Sequence, residues 1–225
     1  VRRRHTYDAT PFLINSSNQH SFIKRAVAWV EIQHEDIENR LRRFSGYKIV
    51  KGFRHVLQGE PDIDFMLRPA FLRGIAALQK FGFVYDILIF PKHLPNACKL
   101  VKFFPDQVIV LDHIAKPDIK NGKTDEWKND IAELAACKNV YCKISGMVTE
   151  ADWNNTNPAV FTKYIKHVLH CFGTNRVMFG SDWPVCQVAA SYEKVIEIVS
   201  SNTNKLTKEE MEMLWGKTAQ KVYRL

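Results

Sequence analysis

Residues 176–186 read RVMFGSDWPVC and join an apolar run to a carboxylate. Its first half is apolar, from Val177 to Phe179, and resembles a buried strand. Its second half brings a carboxylate, Asp182, followed by Trp183 and a proline. A carboxylate is rarely buried without a partner. Asp182 therefore either caps the next helix or belongs to a functional site at the end of a strand, and the stretch alone leaves both alternatives open.

Five similar apolar runs precede this one, and amphipathic segments separate them. The runs are rich in Val, Ile, Phe and Tyr, and most are too continuous for half-exposed strands, which is typical of parallel strands covered on both faces. The segments between them have helical periodicity. This alternation predicts one α/β domain over residues 1–225 with a parallel sheet. The predicted strands are 26–33, 47–55, 83–90, 107–113, 139–146 and 176–182; the predicted helices are 35–45, 66–81, 95–104, 124–136 and 158–171, and a last helix begins with a capping box at Thr207 and Glu210.

Polar side chains lie at or just beyond the carboxyl ends of five of the six predicted strands. In parallel α/β folds, ligands bind at the carboxyl ends of the strands. An open sheet usually uses the strands around one switch point, so contributions from five strands favour a closed barrel. These side chains are Arg54 and His55, Lys92 and His93, Asp112 and His113, Lys143 and Ser145, and Asp182.

Each of these residues also has a purely structural explanation. Asp112 and His113 are compatible with a satisfied pair in the core, and Lys143 with a side chain that extends to solvent. Trp183 is compatible with ordinary packing. The joint position of these residues at one edge of the sheet favours a functional site over five independent structural roles.

Composition excludes several classes of function. The net charge is +8, but the lysines are scattered and form no basic tract interleaved with aromatics, so nucleic-acid binding is not predicted. The surplus charge fits a solvated face or the steering of an anionic substrate. No apolar run approaches the ~20 residues of a membrane span. The five cysteines are odd in number and form no Cys-x-x-Cys pair, which predicts reduced thiols and a cytoplasmic protein.

Four motifs resemble those of the amidohydrolase-related family. They are FRHVLQGEPD at 53–62, LDHIAKP at 111–117, KISGMVTE at 143–150 and FGSDWPVC at 179–186. The closing segment LWGKTAQKVYRL at 214–225 is also similar, and the likeness extends from about Ala26 to the end. Among these hydrolases the sequence most resembles the sugar-lactone and pyrone-dicarboxylate lactonases. The resemblance implies a (β/α)₈ TIM barrel.

The resemblance also implies roles for individual residues. Asp182 corresponds to the catalytic aspartate at the end of the last strand, and His113 to an active-site histidine. These two would also be the metal ligands if a divalent ion such as zinc is bound. Residues expected to contact the substrate are Arg54, His55, His93, Lys143, Ser145 and Trp183. Opening a lactone requires a base for the attacking water, which we assign to Asp182, and donors for the developing oxyanion, which we assign to His113 with Lys143 or Arg54.

One feature departs from the family pattern. The first strand of the family carries a His-x-His pair, but no two of the eight histidines here lie two residues apart. About 25 residues precede the first run, too few for two βα units. We therefore expect about six of the eight units and no tight zinc site in this chain. The unpaired outer strands predict poor solubility, pairing into a homo-oligomer, or an abnormal closure with six strands.

Three functions remain open at this stage. The first is hydrolysis of a sugar-acid or carboxylated lactone, a small-molecule substrate, which GSDWP together with KISG favours. The second is decarboxylation by an enzyme of the same superfamily. The third is anion binding by a barrel that has lost catalysis.

Overall fold

The computed structural model describes residues 9–225, so residues 1–8 of the predicted domain lie outside the described part. Six parallel strands lie in sequence order in one sheet, which curls into a half-barrel with helices between the strands. The predicted α/β barrel class and the six βα units are thereby confirmed. The strands are β1 (Ala26–Ala28), β2 (Val50–Val56), β3 (Val84–Leu88), β4 (Ile109–Leu111), β5 (Val140–Ile144) and β6 (Val177–Phe179).

The helices other than α9 (Thr218–Tyr223) form the layer outside the sheet. Every predicted helix is present, and the capping box of Thr207 and Glu210 is confirmed. In chain order the helices are α1 (Ala9–Gln19), α2 (Ile37–Ser45), α3 (Pro69–Lys80), α4 (Leu94–Phe103), α5 (Asp125–Ala136), α6 (Pro158–Phe172), α7 (Tyr192–Thr203), α8 (Lys208–Glu212) and, after a π-helical turn over Met213–Lys217, α9 (Thr218–Tyr223). Of these, α1 and α7 were not predicted.

The two faces of the sheet bury different residues because side chains alternate along a strand. On β3, Tyr85 points outward and packs on Phe71 of α3. Its neighbours Val84 and Asp86 point inward, to the concave face of the sheet. The parallel register pairs Arg54 of β2 with Asp86, so two charged residues lie side by side on that face.

Helix α9 packs on the concave face from the amino ends of the strands. Val222 and Tyr223 join Val84, Val110 and Met178 in a small apolar cluster. Two backbone contacts then hold the end of this helix in place. Arg25, just before β1, donates from Nε to the Arg224 carbonyl at 2.9 Å, and Arg224 donates from Nη2 to the Gly82 carbonyl at 2.7 Å.

The outer strands β1 and β6 have helical neighbours. Helix α1 packs against β1, and the π-helical turn and α9 pack against β6. The side chains of the two strands are therefore largely buried. Pairing of their backbone edges into a homo-oligomer stays a prediction. Among residues 9–225, no helix is both long and apolar enough to cross a bilayer. All five cysteines are free.

Candidate active site

A left-handed turn follows β4 and carries the first site residue. Four successive residues, His113 to Lys116, have φ values of 55°, 49°, 61° and 51°. This conformation costs an L-residue roughly 1–2 kcal/mol. Burial of Ile114 and Ala115 helps to offset that cost, as does the bond from Trp127 Nε1 to the Ile114 carbonyl at 2.8 Å. Such strain is concentrated at functional sites, where the surrounding structure holds it.

The turn aims His113 across the sheet at the end of β5. His113 Nδ1 lies 2.8 Å from Ser145 Oγ. Gly146 comes next, with φ 59°, and a Cβ at this position would lie 2.6 Å from His113 Cγ. Only glycine therefore lets the imidazole approach the chain this closely. Burial lowers the pKa of His113 despite the nearby carboxylates of Asp112 and Asp182, which keeps the ring neutral at pH 7.

Asp182 meets His113 from the end of β6. Its own φ is 56°, a further left-handed residue in the site. Oδ1 lies 3.6 Å from His113 Nε2, while Oδ2 is buried and has no hydrogen-bond partner in the described part of the chain. Only the backbone carbonyl of Asp182 takes part in the following turn, where it accepts from Cys186 N at 2.9 Å. The carboxylate therefore caps no helix, and the other alternative raised by the sequence, a functional site, stays a prediction.

A network of buried charges lies beside this pair on the concave face. Asp112 accepts from Arg54 Nη1 at 3.0 Å and from Lys143 Nζ at 2.8 Å. Lys143 also donates to Asp86. Asp86 in turn accepts from the hydroxyl of Tyr223, at 2.9 Å to each carboxylate oxygen. The network links β2, β3, β4, β5 and α9.

The two carboxylates of the network differ in proton affinity. Burial alone would raise the pKa of Asp112, but Lys143, His113 and Arg54 outweigh it and hold that pKa well below its usual range. Burial raises the pKa of Asp86, because Lys143 compensates it only in part and Asp112 repels its charge. The pKa of Lys143 is raised despite burial, since both carboxylates favour its charged form. Lys143 is thus an ammonium group held between two carboxylates.

Three predicted substrate-binding residues lie apart from this cluster. His55 faces the helical layer, because it follows the inward-facing Arg54 on β2; its Nε2 lies 2.9 Å from Glu60 Oε1 and its ring stacks on Phe65. His93 is buried at the start of α4, where Nδ1 accepts from the Phe90 backbone N–H at 3.1 Å. Trp183 is 61% exposed and follows Asp182 on the rim. The described contacts bring none of the three to the charged network.

Sequence reasoning missed two members of the network, Asp86 and Tyr223. A signal for Asp86 was available, since it is the only charged residue of the apolar run FVYDILIF. Because a carboxylate within a buried strand needs partners, Asp86 implied a cation nearby. No such signal marked Tyr223, which comes from a helix distant in sequence.

The described residues do not complete a zinc site by themselves. A catalytic zinc usually takes three protein ligands, and Asp182 Oδ2 offers a free acceptor for such an ion. His113 and Asp182 supply two ligands, but no group of three His, Cys, Asp or Glu side chains within residues 9–225 is placed to share an ion. Within residues 9–225 the available donors therefore do not fit a catalytic zinc.

A carboxylate, an imidazole and an ammonium lie at the carboxyl edge of a curled parallel sheet, the edge where TIM-barrel enzymes carry their active sites. The chain belongs to the amidohydrolase family, whose sequence profile matches residues 12–225. Membership of this family and similarity to its curated members make the protein a hydrolase.

Two curated relatives are named L-fucono-1,5-lactonase. The protein from Burkholderia multivorans is 37% identical over 236 residues, an alignment that covers 100% of this chain and 79% of the relative. The protein from Burkholderia ambifaria is 32% identical over 191 residues, covering 83% of this chain and 64% of the relative.

Solved structures show the same fold. An amidohydrolase from Burkholderia multivorans with bound zinc superposes with a TM-score of 0.89 at 37% identity, covering 96% of this chain and 78% of the other. A putative 2-pyrone-4,6-dicarboxylic acid hydrolase from Pseudomonas putida has a TM-score of 0.79 at 20% identity, covering 96% of this chain and 77% of the other. This second likeness, like that of decarboxylases at 12–13% identity, concerns the fold alone.

Proposed function

We propose that this protein opens the ring of a neutral sugar lactone by hydrolysis. One observation carries the proposal: the unpartnered Oδ2 of Asp182, buried beside a neutral His113 at the carboxyl edge of the sheet. A buried carboxylate oxygen without a donor is costly. Such a cost is expected where the oxygen has to accept a proton or a hydrogen bond from a ligand.

In this mechanism Asp182 is the general base. It takes one proton from water as the water oxygen attacks the lactone carbonyl, which is a typical task for a carboxylate within hydrogen-bond reach. The ring C–O bond then breaks, and the departing ring oxygen receives that proton, which yields a hydroxy acid. The distance of 3.6 Å between Asp182 Oδ1 and His113 Nε2 is too long for a direct hydrogen bond. The two groups therefore remain available for water and substrate.

His113 and Lys143 stabilise the negative charge that develops on the carbonyl oxygen of the lactone. When Nδ1 of His113 accepts from the Ser145 hydroxyl, Nε2 carries the proton and can donate to the carbonyl oxygen. The ammonium of Lys143 is bound to Asp86 and Asp112, and its side chain is 19% exposed. Donors that are already oriented stabilise an oxyanion with little reorganisation.

The charge of the site favours a neutral substrate over the carboxylated one that the basic side chains had suggested. Both cations of the network, Arg54 and Lys143, already bind carboxylates. Asp182 adds a further carboxylate, so two cations face three acids. A carboxylate on the substrate would meet no cation of the described network that lacks a carboxylate partner.

Hydrolysis of a lactone panel tests the proposal. We expect turnover of neutral aldonolactones and little turnover of 2-pyrone-4,6-dicarboxylate, in assays run with and without a chelator. Asp182→Asn should lower kcat by at least about 100-fold, because general-base catalysis contributes ~10²–10⁴-fold. Asp106→Asn is the matched control, since Asp106 is exposed at the amino end of β4.

Three results would contradict the proposal. Near-normal turnover by folded Asp182→Asn would remove the base. Binding of lactones without turnover would favour a non-catalytic barrel. Release of CO₂ from an aromatic acid, without lactone hydrolysis, would favour the decarboxylase.

A further inference from the structure

Tyr223 reaches the charged network from the opposite end of the sheet. Its hydroxyl lies 2.9 Å from both carboxylate oxygens of Asp86, although the two residues are 137 positions apart. The ring packs under the Lys143 ammonium, with Nζ 5.4 Å from the ring centroid. Tyr223 is only 8% exposed. It therefore faces the base of the network and is removed from the rim where substrate enters.

The position of this hydroxyl is fixed by the end of α9. Val222 packs into the apolar cluster on the concave face. Arg224, which has φ 54°, is held through its carbonyl by Arg25 and through its guanidinium by the Gly82 carbonyl. With the residues on both sides anchored, Tyr223 has little freedom to leave Asp86.

Asp86 depends on the donors that surround it. It is 1% exposed, and the charged or titratable groups that face it are Lys143 from β5, Asp112 after β4, Arg54 from β2 and Tyr223 from α9. Lys143 and Tyr223 are its two hydrogen-bond donors. A buried carboxylate that loses a donor becomes easier to protonate. A protonated Asp86 no longer holds the ammonium of Lys143 by charge.

We propose that Tyr223 is a positioning residue: its hydroxyl keeps Asp86 charged and oriented, so that Asp86 and Asp112 together hold the ammonium of Lys143 in place for the reaction. The catalytic consequence rests on the proposed lactonase function. The effect on Lys143 itself does not, because it concerns the charged network of the protein without substrate.

Tyr223→Phe removes only the hydroxyl and keeps the ring in the apolar cluster. Tyr164→Phe is the matched control, since the hydroxyl of Tyr164 in α6 is also buried but has no hydrogen-bond partner among the described residues. We expect Tyr223→Phe to lower kcat about tenfold with little change in KM, because Lys143 acts on the transition state. The acidic limb of the kcat profile should move to higher pH, since loss of the donor raises the pKa of Asp86. Tyr164→Phe should change neither quantity.

A second measurement follows Lys143 without an assay of activity. Pulse acylation with acetic anhydride, read by mass spectrometry, reports how readily the Lys143 amine reacts. We expect several-fold faster labelling of Lys143 in Tyr223→Phe than in the wild type or in Tyr164→Phe. If the wild type hydrolyses no lactone, the proposed function fails while this measurement still tests the positioning role. Unchanged labelling in Tyr223→Phe overturns the proposal, as does an unchanged acidic limb in an active enzyme.

Discussion

Replacement of Gly146 by alanine tests how tightly the protein holds His113. The new Cβ would lie 2.6 Å from Cγ, 2.7 Å from Nδ1 and 2.8 Å from Cβ of His113. Carbon atoms in contact are normally separated by about 3.5–4.0 Å. The imidazole must therefore move by roughly 1 Å, away from Ser145 and out of line with Asp182. The buried left-handed turn that carries His113 leaves it little freedom to adjust.

The size of the effect follows from that displacement. A misplacement of about 1 Å in a catalytic constellation can cost about 100-fold in rate. Stability falls as well, because alanine at φ 59° costs roughly 1–2 kcal/mol and the overpacking about 1–3 kcal/mol more. For a chain of this size, each kcal/mol lowers Tm by about 2–4 °C. We thus expect Gly146→Ala to lose about 100-fold in kcat and several degrees in Tm.

Steady-state hydrolysis of a neutral aldonolactone and thermal unfolding provide the measurements. Gly59→Ala is the matched control, because Gly59 is exposed and a Cβ there meets nothing within 4 Å. If Gly146→Ala kept the kcat and Tm of Gly59→Ala, the close approach of residue 146 to His113 would not govern the site, and our reasoning on His113 would be refuted.

Two further substitutions test the strain and the charges of the site. Ala115→Gly should leave Tm unchanged or raise it, because φ is 61° there and glycine adopts this region at no steric cost. In a helix, by contrast, glycine destabilises by about 0.5–1 kcal/mol. A clear fall in Tm in a thermal melt would show that the backbone of Ala115 is not strained. Lys143→Met should lower the free energy of unfolding at pH 7 by about 3–5 kcal/mol, since it removes a shared partner from buried Asp86 and Asp112, while Lys102→Met on the surface should change it little. The pKa of Asp112 is depressed in the folded protein, so the stabilisation from its charged form is present above about pH 4 and is lost as the pH falls further. The difference in free energy of unfolding between Lys143→Met and the wild type, measured by denaturant unfolding at several pH values, should therefore become smaller in acid. A difference that stays constant with pH would argue against the ion network.

The sequence allowed prediction of the residues that end strands. Asp182, His113, Lys143 and Ser145 follow apolar runs, and parallel strands bring such ends to one edge, where the structure places all four. The same rule does not describe the position of His55. Adjacent residues on β2 face opposite sides of the sheet, and Arg54 is the one that faces inward. Helical periodicity gave five helix positions, but it missed α1, whose apolar moment is weak, and α7.

Long-range contacts were beyond the reach of the sequence. No local pattern joins Tyr223 to Asp86, because their approach depends on the curl of the whole sheet and on where α9 docks. The left-handed turn at His113 was also unforeseen. Its four residues include no glycine and one β-branched residue, Ile114, and such residues rarely adopt positive φ. Tertiary contacts, such as the bond from Trp127, overrode local preference there.

The bond between Tyr223 and Asp86 also sets the order in which the site is assembled during folding. Lys143 and Asp86 are 57 positions apart, and Arg54 and Asp112 are 58 apart, whereas Tyr223 and Asp86 are 137 apart. Closing the longer loop costs only about 0.8 kcal/mol more in chain entropy, but contacts so distant in sequence tend to form late. Neighbouring βα units can therefore pair while Asp86 still lacks its second donor. In refolding experiments, we expect the spectroscopic signal of β-strand formation to grow first. Recovery of the native site should follow, because it requires α9 to dock and Tyr223 to reach Asp86.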